Sequence, residues 1–373
     1  MPPPVVAFAS CPDYGPTLAP ALDALLRHLG GWGVLVKPGQ RVLVKPNLLA
    51  DAVPEQAITT HPELVRQVVR GLKQAGAVVR VGDSPAGAMT LEQVWHKTGI
   101  AAVCAAEQVP LLSFEQDGTR QVSRDGYVFA VARAVMDADL IVSLPKVKTH
   151  SLTTLTAAVK NFYGVLPGYQ KAQLHKAYPK PRRFSRLLRA LHAVMPPNLS
   201  IADGVVGMEG DGPSNGTPVR LGFLAASTDA LALDLALCQA LRIDPRRVPY
   251  LADRANDPPG TAFERRGELP EISRFAVPSG AGQLLQLLPE PVLRLAAPLV
   301  WVRPAFSEAC VGCGRCAAAC PTQALTLSPG RRPALNPGRC IACCCCHEVC
   351  PAHAIRMRRS PLLRLAGAFR ELS

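Results

Sequence analysis

Apolar and polar positions follow two rhythms along the first two hundred or so residues. Short β-branched runs at Val5–Ala9, Arg41–Lys45 and Val78–Val81 read as strands, as do segments near Val109–Phe114, Tyr127–Ala132, Leu140–Leu144, Leu199–Asp203 and Leu221–Ser227. Helical spacing fills the gaps at Leu18–Leu29, Pro62–Ala75, Thr90–Thr98, Ser151–Tyr163, Arg182–Met195 and Asp229–Leu241. Thr60 with Glu63 predicts a capping box for the second of these helices, and Gly76 predicts its end. In Ser151–Tyr163, Leu152, Leu155, Val159 and Phe162 share one helical face and Gly164 closes it. Alternation of this kind predicts an α/β fold, a mostly parallel sheet with helices on both faces, over residues 1–255. Pro and Gly then thicken, predicting a connector over 256–305.

In a parallel sheet, ligands bind where the chain leaves the carboxyl ends of strands. Four predicted exits carry polar residues. They are Lys45 and Asn47; Asp83 in Gly82-Asp83-Ser84-Pro85; Lys146, Lys148 and His150 in KVKTH; and Glu209 and Asp211 in the glycine-rich stretch 204–216. KVKTH leads into the expected Ser151–Tyr163 helix, whose N-terminus would favour an anion, with Lys146, Lys148 and Lys160 adding charge. Asn161 follows Lys160 at the end of that helix. Lys148 and His150 are the candidates for chemistry, and His150 reads equally well as a helix-entry residue. The glycine stretch lacks the closing Lys-Ser/Thr of a phosphate loop. Glu209 and Asp211 would repel phosphate, so it suits a cation or a hydroxylated ligand, or else is a loop with solvated acids. Asp229 reads as an N-cap, while Asp234, inside an apolar face, reads as a residue holding a loop by hydrogen bonds.

Charge changes this picture. The formal net charge is +13, and Leu140–Ala202 contains ten Lys/Arg and three His but no Asp or Glu. Such a balance calls for an anionic ligand, an acidic partner, a membrane surface or nucleic acid. Lys171–Arg189 mixes Arg with Tyr178 and Phe184, but no nucleic-acid module accompanies it, and a solvated helix face explains it better. Apolar residues reach 48%, so the chain is globular, and no apolar run is long and clean enough to span a membrane; Gln283–Val302 is interrupted by Glu290, Arg294 and prolines. The tail, 359–373, reads as a short amphipathic helix that packs on protein rather than on lipid. Ten of the 13 cysteines follow residue 309, which is metal usage in a reducing compartment and predicts a cytoplasmic protein.

Those cysteines form two runs of identical spacing, C-x2-C-x2-C-x3-C-P, at Cys310–Pro321 and Cys340–Pro351. Each resembles the cluster-binding run of bacterial-type two-cluster ferredoxins. The resemblance implies a small α+β domain over 306–358 with two [4Fe–4S] clusters. It places one on Cys310, Cys313, Cys316 and Cys350, and the other on Cys340, Cys343, Cys346 and Cys320. The competing reading, a pair of four-cysteine zinc knuckles, wants a longer insert between ligand pairs. Cys344 and Cys345 fall outside the spacing and read as buried packing residues. With nine Arg and three Glu in 306–373, the domain is basic, unlike many free ferredoxin shuttles.

LVKPNLL, TTHPELVR, GDSP, LPKVKTH, AVKNFYG, IADGVVGMEGDGP and STDALALD, in that order, resemble the family called domain of unknown function 362, over about residues 3–255. That family is often followed by a two-cluster ferredoxin, and the resemblance implies a fold and cluster binding but no reaction. A fainter similarity in layout to the N-terminal half of nickel-pincer lactate racemases adds no residue. The expected function is electron transfer to or from a small anionic ligand or redox partner in low-potential metabolism. The alternative is a non-enzymatic adaptor docking on an acidic redox partner.

Overall fold

The computed structural model describes residues 2–85, 91–150, 152–168, 170–178, 180–253, 262–272, 274–278, 301–327, 332–352 and 354–362. Its strands are β1 (Val5–Ser10), β2 (Arg41–Pro46), β3 (Val78–Asp83), β4 (Leu111–Ser113), β5 (Thr119–Arg124), β6 (Tyr127–Ala132), β7 (Leu140–Leu144), β8 (Lys146–His150), β9 (Thr154–Thr156), β10 (Leu199–Glu209), β11 (Thr217–Ser227), β12 (Glu264–Gly267), β13 (Val302–Phe306), β14 (Leu325–Thr326), β15 (Ala334–Leu335) and β16 (Ile355–Arg359). The main sheet runs β12-β1-β11-β10-β7-β2-β3-β4. From β10 to β4 every neighbour is parallel, while β11 is antiparallel to both β10 and β1.

Strand residues alternate between two cores, as burial on both faces requires. Val42, Val44 and Val142 face one side, with Leu22, Leu25, Leu64 and Val68 of helices Leu18–Arg27 and Pro62–Gln74. Leu43 and Ile141 face the other, with Phe184 and Leu188 of helix Pro181–Val194 and Leu233 and Leu237 of helix Ala230–Ala240. The β5–β6 hairpin stands off the sheet, and its Asp125-Gly126 turn takes positive φ at both residues, the combination that suits a tight hairpin.

Three expectations are corrected. Ser151–Tyr163 is not one helix. β8 needs a partner, and β9 supplies it antiparallel, with Lys148 opposite Thr156 and His150 opposite Thr154; only Ala158–Asn161 is α-helical, running into a 3-10 turn at Phe162–Val165. Thr153, Thr154 and Thr156, stiff at χ1, favour the extended form over the helix that the apolar spacing suggested. The Thr60–Glu63 box is replaced by His61, whose Nδ1 accepts from Glu63 N at 3.2 Å, because Thr60 Oγ1 is drawn to the Leu144 carbonyl at 2.6 Å. The glycine stretch is not one loop: Gly204 and Gly207 lie within β10, and a Cβ on Gly204 would meet the Phe223 ring at 2.5 Å. Asp229 does cap its helix, accepting from Leu231 N and Ala232 N.

The cysteine-rich module pairs β13 with β16 and β14 with β15, with one-turn helices at Arg315–Ala318 and Cys345–Glu348. It touches the sheet unit through Arg315, which donates to Asp51 at 3.0 Å and to Gln93 at 3.3 Å, and through Asn215, which donates to the Ile355 carbonyl. Most of Gln283–Val302 and the tail from residue 363 lie outside the described residues. Among those described, no helix is long and apolar enough to cross a membrane.

Candidate functional site between the sheet and the cysteine module

One cavity, of about 100 Å³, is walled by both units. Lys45, Asn47 and Asp83 reach it from the carboxyl ends of β2 and β3, Lys148 and His150 from β8, and Thr156 from β9. Lys160, Asn161, Tyr163 and Gly164 follow from the next turns, and Lys171 and His175 from helix Gln170–Ala177. Ala319, Cys345 and Val349 close it from the cysteine module. Four lysines and one carboxylate line the space, so it favours a negative guest.

A polar network fixes these side chains. Lys45 pairs with Asp83 at 2.7 Å, both almost wholly buried. Burial pushes the Lys45 pKa down while Asp83 pulls it up. Gly164 is required here, since a Cβ would sit 2.6 Å from Asp83 Oδ1 and 2.7 Å from Lys45 Nζ. Lys148 Nζ donates to Asn47 Oδ1 at 3.0 Å and to the Ile58 carbonyl at 2.5 Å. Asn47 Nδ2 donates to Asn161 Oδ1, and Asn161 Nδ2 to Ser143 Oγ, each at 3.0 Å. Leu48 N donates to the second Asp83 oxygen at 2.8 Å. His150 Nδ1 accepts from Leu152 N at 3.0 Å, which puts the proton of the neutral ring on Nε2. Lys160 Nζ lies 4.8 Å from the Tyr163 ring centroid and 5.7 Å from that of Phe184, within cation–π reach.

Lys45, Asn47, Asp83, Lys148, His150, Lys160 and Asn161 therefore converge as the sequence predicts, but three candidates do not. Lys146 is drawn into a separate buried cluster, donating to Asp203 Oδ2 at 2.9 Å and to Tyr14 Oη at 2.8 Å. Tyr14 Oη donates to Asp203 Oδ1 at 2.7 Å, and its ring stacks on His61 at 3.6 Å, where burial pushes the imidazole pKa down to about 4. Glu209 accepts from Ala276 N at 2.7 Å and holds a chain crossing, while Asp211 is exposed; neither lines the cavity. The expected helix N-terminus after KVKTH is not there for an anion. The turn that does start at Ala158 is capped by Asp234, which accepts from Ala158 N, Val159 N and Tyr250 Oη. Burial pushes the Asp234 pKa up to about 7 against those three donors. Lys171, Tyr163 and His175 escaped the sequence reading: Lys171 and His175 sit in a basic stretch that reads as solvated surface, and no local pattern marks them as lining.

In the module, Cys310, Cys313, Cys316 and Cys350 line one small cavity with Phe306, Pro333 and Ile355. Burial, then the neighbouring thiols of Cys343 and Cys320, push the Cys340 thiol up, opposed by the Ala342 backbone. The repeats match in detail. Cys320 Sγ accepts from Ala324 N at 3.2 Å and Cys350 Sγ from Ala354 N at 3.3 Å. Gly312 and Gly314 in one loop, Ala342 and Cys344 in the other, all take positive φ. Soft sulfur donors converging on a pocket, with N–H groups directed at sulfur, fit thiolate-ligated iron–sulfur clusters. Cys344 and Cys345 are buried, and Cys345 faces the lysine cavity.

A mixed α/β sheet carrying a lysine-lined cavity, joined to a cysteine-repeat module, defines the class as an iron–sulfur protein with an appended α/β unit. The chain belongs to the family described as Domain of unknown function (DUF362), which matches residues 42–239, and a 4Fe-4S dicluster domain matches residues 309–354. A thylakoid-associated protein of Synechocystis is 36% identical over 264 residues, covering 70% of this chain and 79% of that protein. An uncharacterized polyferredoxin-like protein of Methanocaldococcus jannaschii is 32% identical over 69 residues, covering 15% of this chain and 41% of that one. Among solved structures, the lactate racemase apoprotein of Thermoanaerobacterium thermosaccharolyticum aligns with a TM-score of 0.42 at 13% identity, covering 64% of this chain and 56% of that one. A Thermotoga maritima protein aligns with a TM-score of 0.35 at 14% identity, covering 54% and 52%.

Proposed function

We propose that this protein passes electrons between an external redox partner and a small anionic ligand held in the lysine-lined cavity, at low potential. The single observation that carries the reading is the shared wall: residues adjoining the cysteines of the module close the same cavity that four lysines of the sheet unit line. Cys310, Cys313, Cys316 and Cys350 would hold one [4Fe–4S] cluster, and Cys340, Cys343, Cys346 and Cys320 a second. Such clusters supply single electrons.

The sheet unit does the rest. Lys148, fixed by Asn47 and the Ile58 carbonyl, and Lys160, over two aromatic rings, orient the anion. The Lys45–Asp83 pair keeps the floor of the cavity polar and rigid. His150 presents its Nε2–H as a donor, and Leu48 and Leu49 thin the water around the ligand.

Complementation of a deletion strain tests this. Lys148→Ala and His150→Ala should abolish function while the purified proteins keep wild-type iron and sulfide. Full function in both variants overturns the reading, because an adaptor that only docks on a partner has no use for those side chains.

A further inference from the structure

Helix Gln170–Ala177 brings Lys171 into the cavity wall. Its ammonium donates to the Ser84 carbonyl at 2.6 Å, to Ser84 Oγ at 2.8 Å and to the Pro85 carbonyl at 2.8 Å. The Ser84 hydroxyl in turn donates to Glu115 Oε1 through a short hydrogen bond. Glu115 is solvent-exposed, and Gly168 N and Ser113 Oγ, each at 3.4 Å, hold its carboxylate in place. The three side chains form a hydrogen-bonded line from bulk water to the cavity. Lys45 and Lys146 meet their carboxylates directly. Here a hydroxyl is interposed between amine and carboxylate, an arrangement that can pass a proton.

We propose that Glu115, Ser84 and Lys171 are the proton path to the ligand cavity, an inference that rests on the reading of that cavity as the place where a ligand exchanges electrons. For each electron that reaches the ligand, replenished by an external one-electron donor protein, one proton leaves Lys171 Nζ for the ligand. The exposed Glu115 carboxylate takes a proton from water and passes it to the Ser84 oxygen as the Ser84 hydroxyl proton moves to the neutral amine, which leaves Glu115 a carboxylate again. When the ligand is oxidised, each proton moves the other way. The surroundings of Lys171 suit a proton that leaves readily: burial pushes its pKa down to about 8, Asp83 and Glu115 pull it up, and Lys45 and Lys160 press it down again. Tyr163 Oη bonds the Lys171 carbonyl, and His175 lies one turn along the same helix. A donor whose pKa lies near the working pH is the effective kind.

Proton exchange at Lys171 Nζ can be read without knowing the ligand. In the full-length, cluster-loaded, oxidised protein carrying lysine labelled with 15N at Nζ, the resonance is assigned by its loss in Lys171→Arg. Exchange with water should slow about tenfold or more in Ser84→Ala and in Glu115→Gln, and return to the wild-type rate in Ser84→Thr, which restores the hydroxyl. Unchanged exchange in Glu115→Gln, or the same slowing in Ser84→Thr as in Ser84→Ala, overturns the path. Glu115 is exposed, so its variant keeps the test decisive should Ser84→Ala fail to fold. Complementation by Lys148→Ala reports on the cavity alone, so the path and the ligand reading fail separately.

Discussion

The sheet unit and the cysteine module hold their polar sites by opposite means. In the sheet unit, buried ammoniums sit between two apolar cores, one on each face, and Lys45, Lys146 and Lys148 are each at most 1% exposed. The fold is already paid for by apolar burial, and the polar residues are guests within it. In the module, the apolar cluster among the described residues has only three buried members, Cys316, Leu325 and Ile355, and one of its sheets has strands of only two residues. A core that small does not hold a chain by itself; small domains of this kind rely on metal or covalent cross-links. There the site makes the fold.

Removing the iron should therefore split the molecule. After chelation under reducing conditions, backbone amides in 302–306 and 355–359 should lose their protection from hydrogen exchange, while those of β2, β3 and β7 keep it. Protection surviving in both regions of the iron-free protein would break the contrast, since the module would then have a stable fold of its own.

The sheet unit answers to a different cut. Asp203 meets Lys146 at 2.9 Å with both side chains at 0% exposure, and the same carboxylate accepts from Tyr14 and from His61 N. Asp203→Ala leaves a buried ammonium without its counter-charge and should cost about 3–5 kcal/mol of unfolding free energy by denaturant titration, with iron content unchanged. Lys148→Met, two residues along the same strand, removes one donor from Asn47 and one from the Ile58 carbonyl and should cost about 1–3 kcal/mol. Equal costs for the two would mean that Lys148 holds the fold as Lys146 does, which would remove the distinction between a structural lysine and one that faces the cavity.

The same contrast explains what the sequence made legible. Cysteines that lie within a few residues of one another, in two identical runs, mark the module by spacing alone, and a 4Fe-4S dicluster domain matches that stretch. The strand order could not be read this way, but the strands themselves could, since β-branched runs buried on both faces leave a strong local mark. The lysine cavity gathers residues from at least six elements, so its members showed only as odd polar residues after strands. That criterion finds Lys45, Asp83 and Lys148, but it also admits Lys146 and Glu209, whose partners Asp203, Tyr14 and Ala276 are remote in sequence, and Asp211, which is exposed. It passed over Lys171 because a basic stretch looks the same whether its lysine meets water or a cavity wall. The helix expected at 151–163 failed for a related reason. Its apolar spacing was real, yet pairing with β8, a contact outside the helical period, decided the conformation.

The smallest effect separates the two cysteine loops. Gly314 and Cys344 occupy the same place in the repeats, with φ of +75° and +65°, a region open to glycine and costly for a side chain. If Cys344 only packs, Cys344→Gly removes that cost and should stabilise the loaded module by about 1 kcal/mol, seen as a higher midpoint for thermal loss of the iron–sulfur absorbance, with iron per chain unchanged. Gly314→Ala should do the reverse, since its Cβ adds the same backbone cost and comes within 3.2 Å of Leu327. Loss of iron in Cys344→Gly would instead make Cys344 a ligand and displace one of the three cysteines of that loop, Cys340, Cys343 and Cys346, that the ferredoxin resemblance places on its cluster. The second loop would then owe its conformation to the metal alone, and the contrast between module and sheet unit would be sharper still.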